Sequence, residues 1–134
     1  MIHSFFEECV PPKTTKQQQG YRRYATPKVN YSKAFLTAVM EKNKPIRPLR
    51  GAIKAKIIFT WPHTEQTETQ AKKQGVIVVP KITRPDCDNL SKLPWDVMTK
   101  VGFYADDNLI YSATVEKYHG PIPGIAVELE DFFD

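Results

Sequence analysis

The stretch Asp86-Cys87-Asp88-Asn89-Leu90-Ser91-Lys92-Leu93-Pro94-Trp95-Asp96-Val97-Met98-Thr99-Lys100-Val101-Gly102 decides the reading of the fold. Leu90, Leu93, Val97, Met98 and Val101 recur at intervals of three and four, the period that places apolar side chains along one face of a helix. The spacing predicts a helix over Asn89–Val101, with Asp88 as an N-cap and Gly102 as the residue that closes it. Pro94 lacks the N–H an interior helical residue needs, so the regular part is expected to begin nearer Leu93. Beyond Gly102, Leu109–Tyr118 and Ile125–Leu129 are rich in β-branched and aromatic residues. Joined by His119-Gly120-Pro121-Ile122-Pro123-Gly124, they predict a β-hairpin.

Upstream, Ile2–Glu8 suits a short first strand ended by Pro11-Pro12. Lys13 to Asn30 is polar and has no sustained period, which reads as a long loop. Tyr31, Phe35, Leu36, Val39 and Met40 then return to helical spacing, and a helix is expected over Ser32–Lys42, capped by Ser32 and barred from continuing by Pro45 and Pro48. Ala52–Phe59 partly alternates and predicts a strand running into Trp61-Pro62. Thr64–Gln74 is a polar helix or an exposed excursion, stopped by Gly75, and Val76–Val79 is a short return strand ended by Pro80. With 134 residues, no internal repeat and no composition break, the expected architecture is one α/β (α+β) domain over residues 1–134, a small mixed sheet with two main helices.

Composition narrows the class. Hydrophobic residues make up 41% and charged residues 25%, ordinary globular proportions. Ala52–Trp61 and Val76–Pro80 fall far short of the ~20 apolar residues a spanning helix needs, so no membrane association is expected. An N-terminus reading Met-Ile-His-Ser-Phe-Phe-Glu-Glu lacks the basic start of an export signal, and Cys9 and Cys87 form no CxxC pair; both features favour a cytoplasmic location. The net charge of +4 hides an asymmetry. Twelve Lys and Arg residues lie between Lys13 and Lys56 against the single acid Glu41, a local charge of +11. Acids gather later, at Asp86, Asp88, Asp106 and Asp107 and in the C-terminal Glu128, Glu130, Asp131 and Asp134. A basic half around an acidic site suits a polyanion partner, although surface lysines that only solvate the fold give a similar count. Tyr21-Arg22-Arg23-Tyr24, Lys28, Tyr31 and Lys33 interleave rings and cations, a mixture that stacks on bases and neutralises phosphates. Tyrosines turned into the core with arginines outside would produce the same string.

The carboxylates carry the chemistry. In an extended chain Asp86 and Asp88 point to one side, about 7 Å apart along the backbone, near enough to share a hard cation. Cys87 then turns away from them, toward the core. Asp106-Asp107 follows the helix and joins the first pair only if the intervening elements fold back. An EF-hand starting at Asp86 would need Gly and Glu where Ser91 and Val97 stand, and an aspartyl-nucleophile phosphatase would need an apolar strand where Thr83-Arg84-Pro85 stands. His3, His63 and His119 are scattered, as packing residues usually are, and no Ser or Cys triad is evident.

The run Arg-Pro-Asp-Cys-Asp-Asn-Leu-Ser-Lys at 84–92, with Asp96, Gly102-Phe103, Asp106-Asp107 and Ile110, closely resembles the RusA family of Holliday junction resolvases, endonucleases frequent in prophages. The resemblance implies a mixed α/β homodimer that cuts four-way DNA junctions with Mg²⁺, or Mn²⁺ in its place, in DNA recombination and repair. Carried over by position, it makes Asp86, Asp88 and Asp107 the metal-binding catalytic acids, Lys92 an essential basic partner and Asp106 a weaker additional acid. Arg22, Arg23, Lys28, Lys33 and Arg84 are the candidate DNA contacts. Lys92, four residues beyond Asp88 on the same helix face, is placed to approach a phosphate or orient the acids. Two other readings compete: a non-catalytic basic DNA-binding module, and a metal-dependent nuclease acting on flaps or RNA. Acids retained beside a phosphate-binding surface weaken the first, because pure binding gains from their loss.

Overall fold

The computed structural model describes residues 1–11 and 26–133, with side chains from residue 33 onward in the second stretch. In chain order the elements are β1 (Ile2–Glu8), α1 (Thr26–Asn43), β2 (Ile53–Pro62), α2 (Glu65–Gln74), β3 (Val79–Pro80), α3 (Cys87–Val101), a single 3-10 turn (Asp107–Leu109), β4 (Ile110–Gly120) and β5 (Gly124–Asp131). The strands form one mixed sheet in the order β1-β5-β2-β4-β3. This is the expected α+β class, with α2 as a third, shorter helix beside the two main ones. Among the described residues no helix is long and apolar enough to cross a membrane.

β2 is the centre of the sheet, and one of its faces is buried along most of its length. Ile53, Ala55, Ile57 and Phe59 are all buried, while Lys54, Lys56, Ile58 and Thr60 take the other face. Ile125, Val127 and Leu129 of β5 extend the buried face, and α1 and α3 pack on it through Leu36, Met40, Leu90, Leu93, Val97 and Met98. Each such side chain contributes about 1.5–3 kcal/mol when fully buried. All the main packing therefore lies on one side of the sheet.

The expected hairpin between β4 and β5 does not form. β2 lies between them, parallel to β4 and antiparallel to β5. The polypeptide leaves β2, passes through α2, β3 and α3, and re-enters the sheet as β4, the crossover that a parallel pair requires. Residues 121–123 then step over the end of β2. Two strand spacings are about 10 Å, a span that three extended residues reach. Pro121 and Pro123 cannot donate to a tight turn, whereas β2 offers both neighbours a continuous apolar face. Gly124 is needed where the step lands: a Cβ there would meet the Phe6 ring and lie 2.6 Å from the Glu7 carbonyl oxygen.

Other boundaries moved as well. α1 begins at Thr26, with Pro27 at its first turn where a missing N–H costs nothing, so Ser32 is interior rather than the cap. Its end at Asn43, just before Pro45, matches the sequence reading. The rest of the predicted 13–30 loop lies outside the described residues. α2 follows the sequence closely, with Thr64 and Thr67 forming a reciprocal capping box and Gly75 in the left-handed region at φ 68°. Of the expected return strand only Val79 pairs, together with Pro80. The Val76 N–H instead bonds back to the Ala71 carbonyl at 3.0 Å, completing the helix end. The three histidines are hydrogen-bonded structural residues: His3 to the Asn43 carbonyl, His63 to Thr67 and to the Ile77 carbonyl, and buried His119 to the Pro62 carbonyl.

Candidate metal centre and nucleic-acid interface

α3 organises the site. Its buried side carries Leu90, Leu93, Pro94, Val97 and Met98, and it starts at Cys87, earlier than Asn89. Pro94 is its eighth residue and sits on the buried side. The helix runs continuously through it, since burial of this whole face outweighs one missing hydrogen bond. Asp86, rather than Asp88, holds the N-cap position, with an extended backbone at φ −70° and ψ 150°. Asp88 consequently belongs to the first helical turn, not to an extended pair with Asp86.

What the Asp86 carboxylate does not do is informative. It makes no capping hydrogen bond, although an Asp at this position ordinarily accepts one from the second or third residue of the helix. Asp86, Asp88 and Lys92 are all exposed, with Lys92 one turn beyond Asp88 on the same side. Cys87 turns inward as expected, but as the first residue of a helix and not by strand alternation, its thiol 3.7 Å from the Val115 carbonyl oxygen on β4. Asn89 follows with its Oδ1 buried and without a hydrogen-bond partner among the described residues.

The second pair of acids lies at the other end of the helix. Gly102, at φ 100°, closes α3 by donating to the Met98 carbonyl, and Phe103 and Tyr104 then bury themselves in the core. The Leu49 N–H bonds to the Phe103 carbonyl and the Ala105 N–H to the Leu49 carbonyl, at 2.8 and 3.2 Å, so the 45–50 loop with Arg47 and Arg50 runs alongside. Asp106 caps the 3-10 turn, accepting from the Asn108 N–H at 3.0 Å. Asp107 is pushed above its usual carboxylate range, first by a hydrogen bond with the Asp106 side chain, then by desolvation and by the charges of Asp106 and Asp96. Burial likewise raises the Tyr104 phenol, whose hydroxyl donates to the Trp95 carbonyl at 2.8 Å.

The acids fall in two pairs, Asp86 and Asp88 at the start of the 15-residue helix α3 and Asp106 and Asp107 beyond its C-terminal end, where Asp107 feels the charge of Asp96 in the second half of the helix. Among the described residues no three His, Cys, Asp or Glu side chains stand close enough to hold one ion. The donor chemistry nonetheless fits a hard divalent cation. Each pair offers carboxylate oxygens, Asp86 leaves its own uncommitted, and a cation would relieve the like-charge repulsion that adds to the Asp106 hydrogen bond in raising Asp107.

Of the predicted DNA contacts, Arg84 is exposed two residues before Asp86, and Lys33 is exposed on α1. Lys28 lies in α1 with its side chain outside the described set, and Arg22 and Arg23 lie outside the described residues. Sequence reading missed Lys117, Lys81 and the 45–50 loop. Lys117 is the one lysine of its strand and carries no motif, and only the fold brings it to the backbone just before Asp86.

Comparison with known proteins supplies the family. The model of the family described as Endodeoxyribonuclease RusA matches residues 10–130. The chain belongs to the RusA family. Among its relatives, a crossover junction endodeoxyribonuclease RusA of Aquifex aeolicus (strain VF5) is 28% identical over 107 residues, covering 70% of this chain and 85% of that protein. The protein of the same description from Lactococcus phage r1t is 30% identical over 128 residues, covering 88% and 89%. The resemblance carried by residues 84–110 thus extends across nearly the whole RusA-family chain, including the basic first half.

Proposed function

We propose that this protein is a Mg²⁺-dependent, structure-selective endonuclease that resolves four-way DNA junctions by paired phosphodiester hydrolysis, working as a homodimer. The observation that carries the reading is the uncapped Asp86 carboxylate beside Asp88 at the start of α3, in a chain whose RusA-family match spans residues 10–130. Asp86, Asp88 and Asp107 are the residues that would hold the ion. A bound divalent ion supplies a Lewis acid for the scissile phosphate and a water of lowered pKa. Lys92, with Arg84 upstream, neutralises phosphate charge that the carboxylates would otherwise repel.

The separation of the two acid pairs gives dimerisation a chemical reason. When two copies pair about a two-fold axis with their α3 helices antiparallel, the N-terminal acids of one copy face the C-terminal acids of the other. Asp86 and Asp88 of one chain then meet Asp107 of the second, and two such composite sites serve the two opposed cuts that resolution requires.

The first test incubates the protein with labelled four-way junction, duplex, flap, single strand and RNA, with Mg²⁺ or EDTA. Mg²⁺-dependent paired nicking of the junction is expected, and preferential cutting of flaps or RNA would overturn the substrate assignment. The second test mixes Asp86→Asn with Asp107→Asn. If sites form across two chains, a heterodimer carries one doubly altered and one intact site, and junction nicking returns. A mixture as inactive as its parents would place all three acids in one chain.

A further inference from the structure

The segment that delivers Asp86 to the start of α3 has almost no ladder of its own. Between Pro80 and Cys87 the backbone is irregular, and its carbonyls need partners from elsewhere. Lys117, on β4, supplies them. Its ammonium donates to the Thr83 carbonyl at 2.6 Å and to the Pro85 carbonyl at 2.6 Å, while its own carbonyl accepts from the Lys81 N–H at 3.0 Å. The Pro85 carbonyl is the group bonded directly to the nitrogen of Asp86. One residue further, the Cys87 thiol reaches the carbonyl of Val115, two positions before Lys117 on the same strand.

The surroundings suit a cation held for this purpose. Lys117 is half-buried in a sheet position paired with Phe59, where an ammonium needs charge-assisted bonds. Lys81 lies over the Trp61 ring, 5.1 Å from its centroid, and donates to Thr83 at 2.8 Å, so a second lysine braces the same turn. Burial and the nearby charge of Lys117 both lower the pKa of Lys81. Among the described residues no carboxylate pairs with Lys117; its two acceptors there are both carbonyls of the approach to the acids.

We infer that Lys117 is a positioning residue for the nuclease reaction, clipping the 83–85 backbone to β4 so that Asp86 and Asp88 stand where an ion can be shared. This rests on the nuclease reading for its catalytic consequence, but the clip can be tested without catalysis. Its first readout is the thiol of Cys87, at the far end of the clipped segment. Cys9, also half-buried but on the β1 side of the sheet, is a control within the same chain.

The experiment compares Lys117→Met, Lys117→Arg and the unaltered chain, each as Cys9→Ser and as Cys87→Ser, by the rate at which a thiol reagent labels the remaining cysteine. Lys117→Met should speed labelling of Cys87 about tenfold through local opening, with Cys9 unchanged and Lys117→Arg partly restoring the slow rate. Equal acceleration at both cysteines, or none at either, would overturn the clip. In junction cleavage, Lys117→Met should raise the Mg²⁺ concentration for half-maximal activity while junction affinity in EDTA stays the same. An unchanged Mg²⁺ midpoint with weakened junction affinity would make Lys117 a phosphate contact instead. Failure of the unaltered protein to cut any DNA would defeat the nuclease reading and leave the labelling result to judge the clip.

Discussion

The two ends of α3 carry the same chemical group and put it to different uses. At the N-terminal end Asp86 occupies a capping position without capping, and the backbone before it is held by the lysine of a neighbouring strand. At the C-terminal end Asp106 is consumed as a cap, and its neighbour Asp107 is crowded by like charge. An acid that forgoes an available backbone N–H is free for a ligand, whereas one that takes it has a structural job. The difference separates Asp86 from Asp106 as candidate ligands, which residue type alone does not.

The largest expected effects test that separation directly. Asp86→Asn and Asp88→Asn should each lower junction cleavage more than about 100-fold, while junction binding holds or improves, because each removes a metal ligand and a charge that repels phosphate. Asp107→Asn should match them. Near-normal cutting by any one would remove that residue from the ligand set. Asp106→Asn should cost much less, since Asn caps as well as Asp does, whereas Asp106→Ala should lose about 1 kcal/mol of stability in a denaturant titration. If Asp106→Asn is as damaging to cleavage as Asp107→Asn, the cap and ligand roles at this end are reversed.

A smaller effect is read by salt. Replacing Arg22 and Arg23 with Ala should weaken junction binding and flatten its dependence on salt, by about 0.9 in log-log slope for each phosphate that is no longer neutralised. An unchanged slope would place the pair away from DNA, leaving Arg84 and Lys33 as the basic contacts to examine.

The pH dependence is smaller still and has a definite sign. The folded-state pKa of Asp107 is raised above the ordinary 3.8, chiefly by Asp106. Its contribution to stability is therefore fully present below the unfolded value and lost as pH rises through the folded one. Without divalent ions, Asp106→Asn should reduce that loss above about pH 4 in thermal melts, and Mg²⁺ should stabilise the unaltered protein in the same range. Glu7 provides the opposite case at a distance from the site. Hydrogen bonds from Lys42 and Asn43 lower its pKa, so its contribution is present above the unfolded value and fades as pH falls through the folded one. Glu7→Gln should cost at most about 1 kcal/mol, because Lys42 is largely exposed. A melt of Glu7→Gln with the same acid sensitivity as the parent would assign that sensitivity elsewhere.

The sequence by itself determined what depends on neighbours in the chain. Period-3.6 and period-2 patterns located both main helices and the central strand, Gly75 and Gly102 marked helix ends because both need the left-handed conformation, and the order of acids from Asp86 to Asp107 pointed to the RusA family. Local pattern failed where tertiary contacts decide. Pro94 could be accepted inside α3 only because an entire helix face is buried. The hairpin signal between β4 and β5 lost to β2, which satisfies both strands at once, an outcome set by long-range pairing that no turn sequence encodes. The distance between the two acid pairs and the grip of Lys117 on the backbone before Asp86 likewise exist only after the crossover has laid α3 along β4. Hydrogen bonds and charges act over a few ångströms, and it is the packed sheet that brings residues more than thirty positions apart within that range.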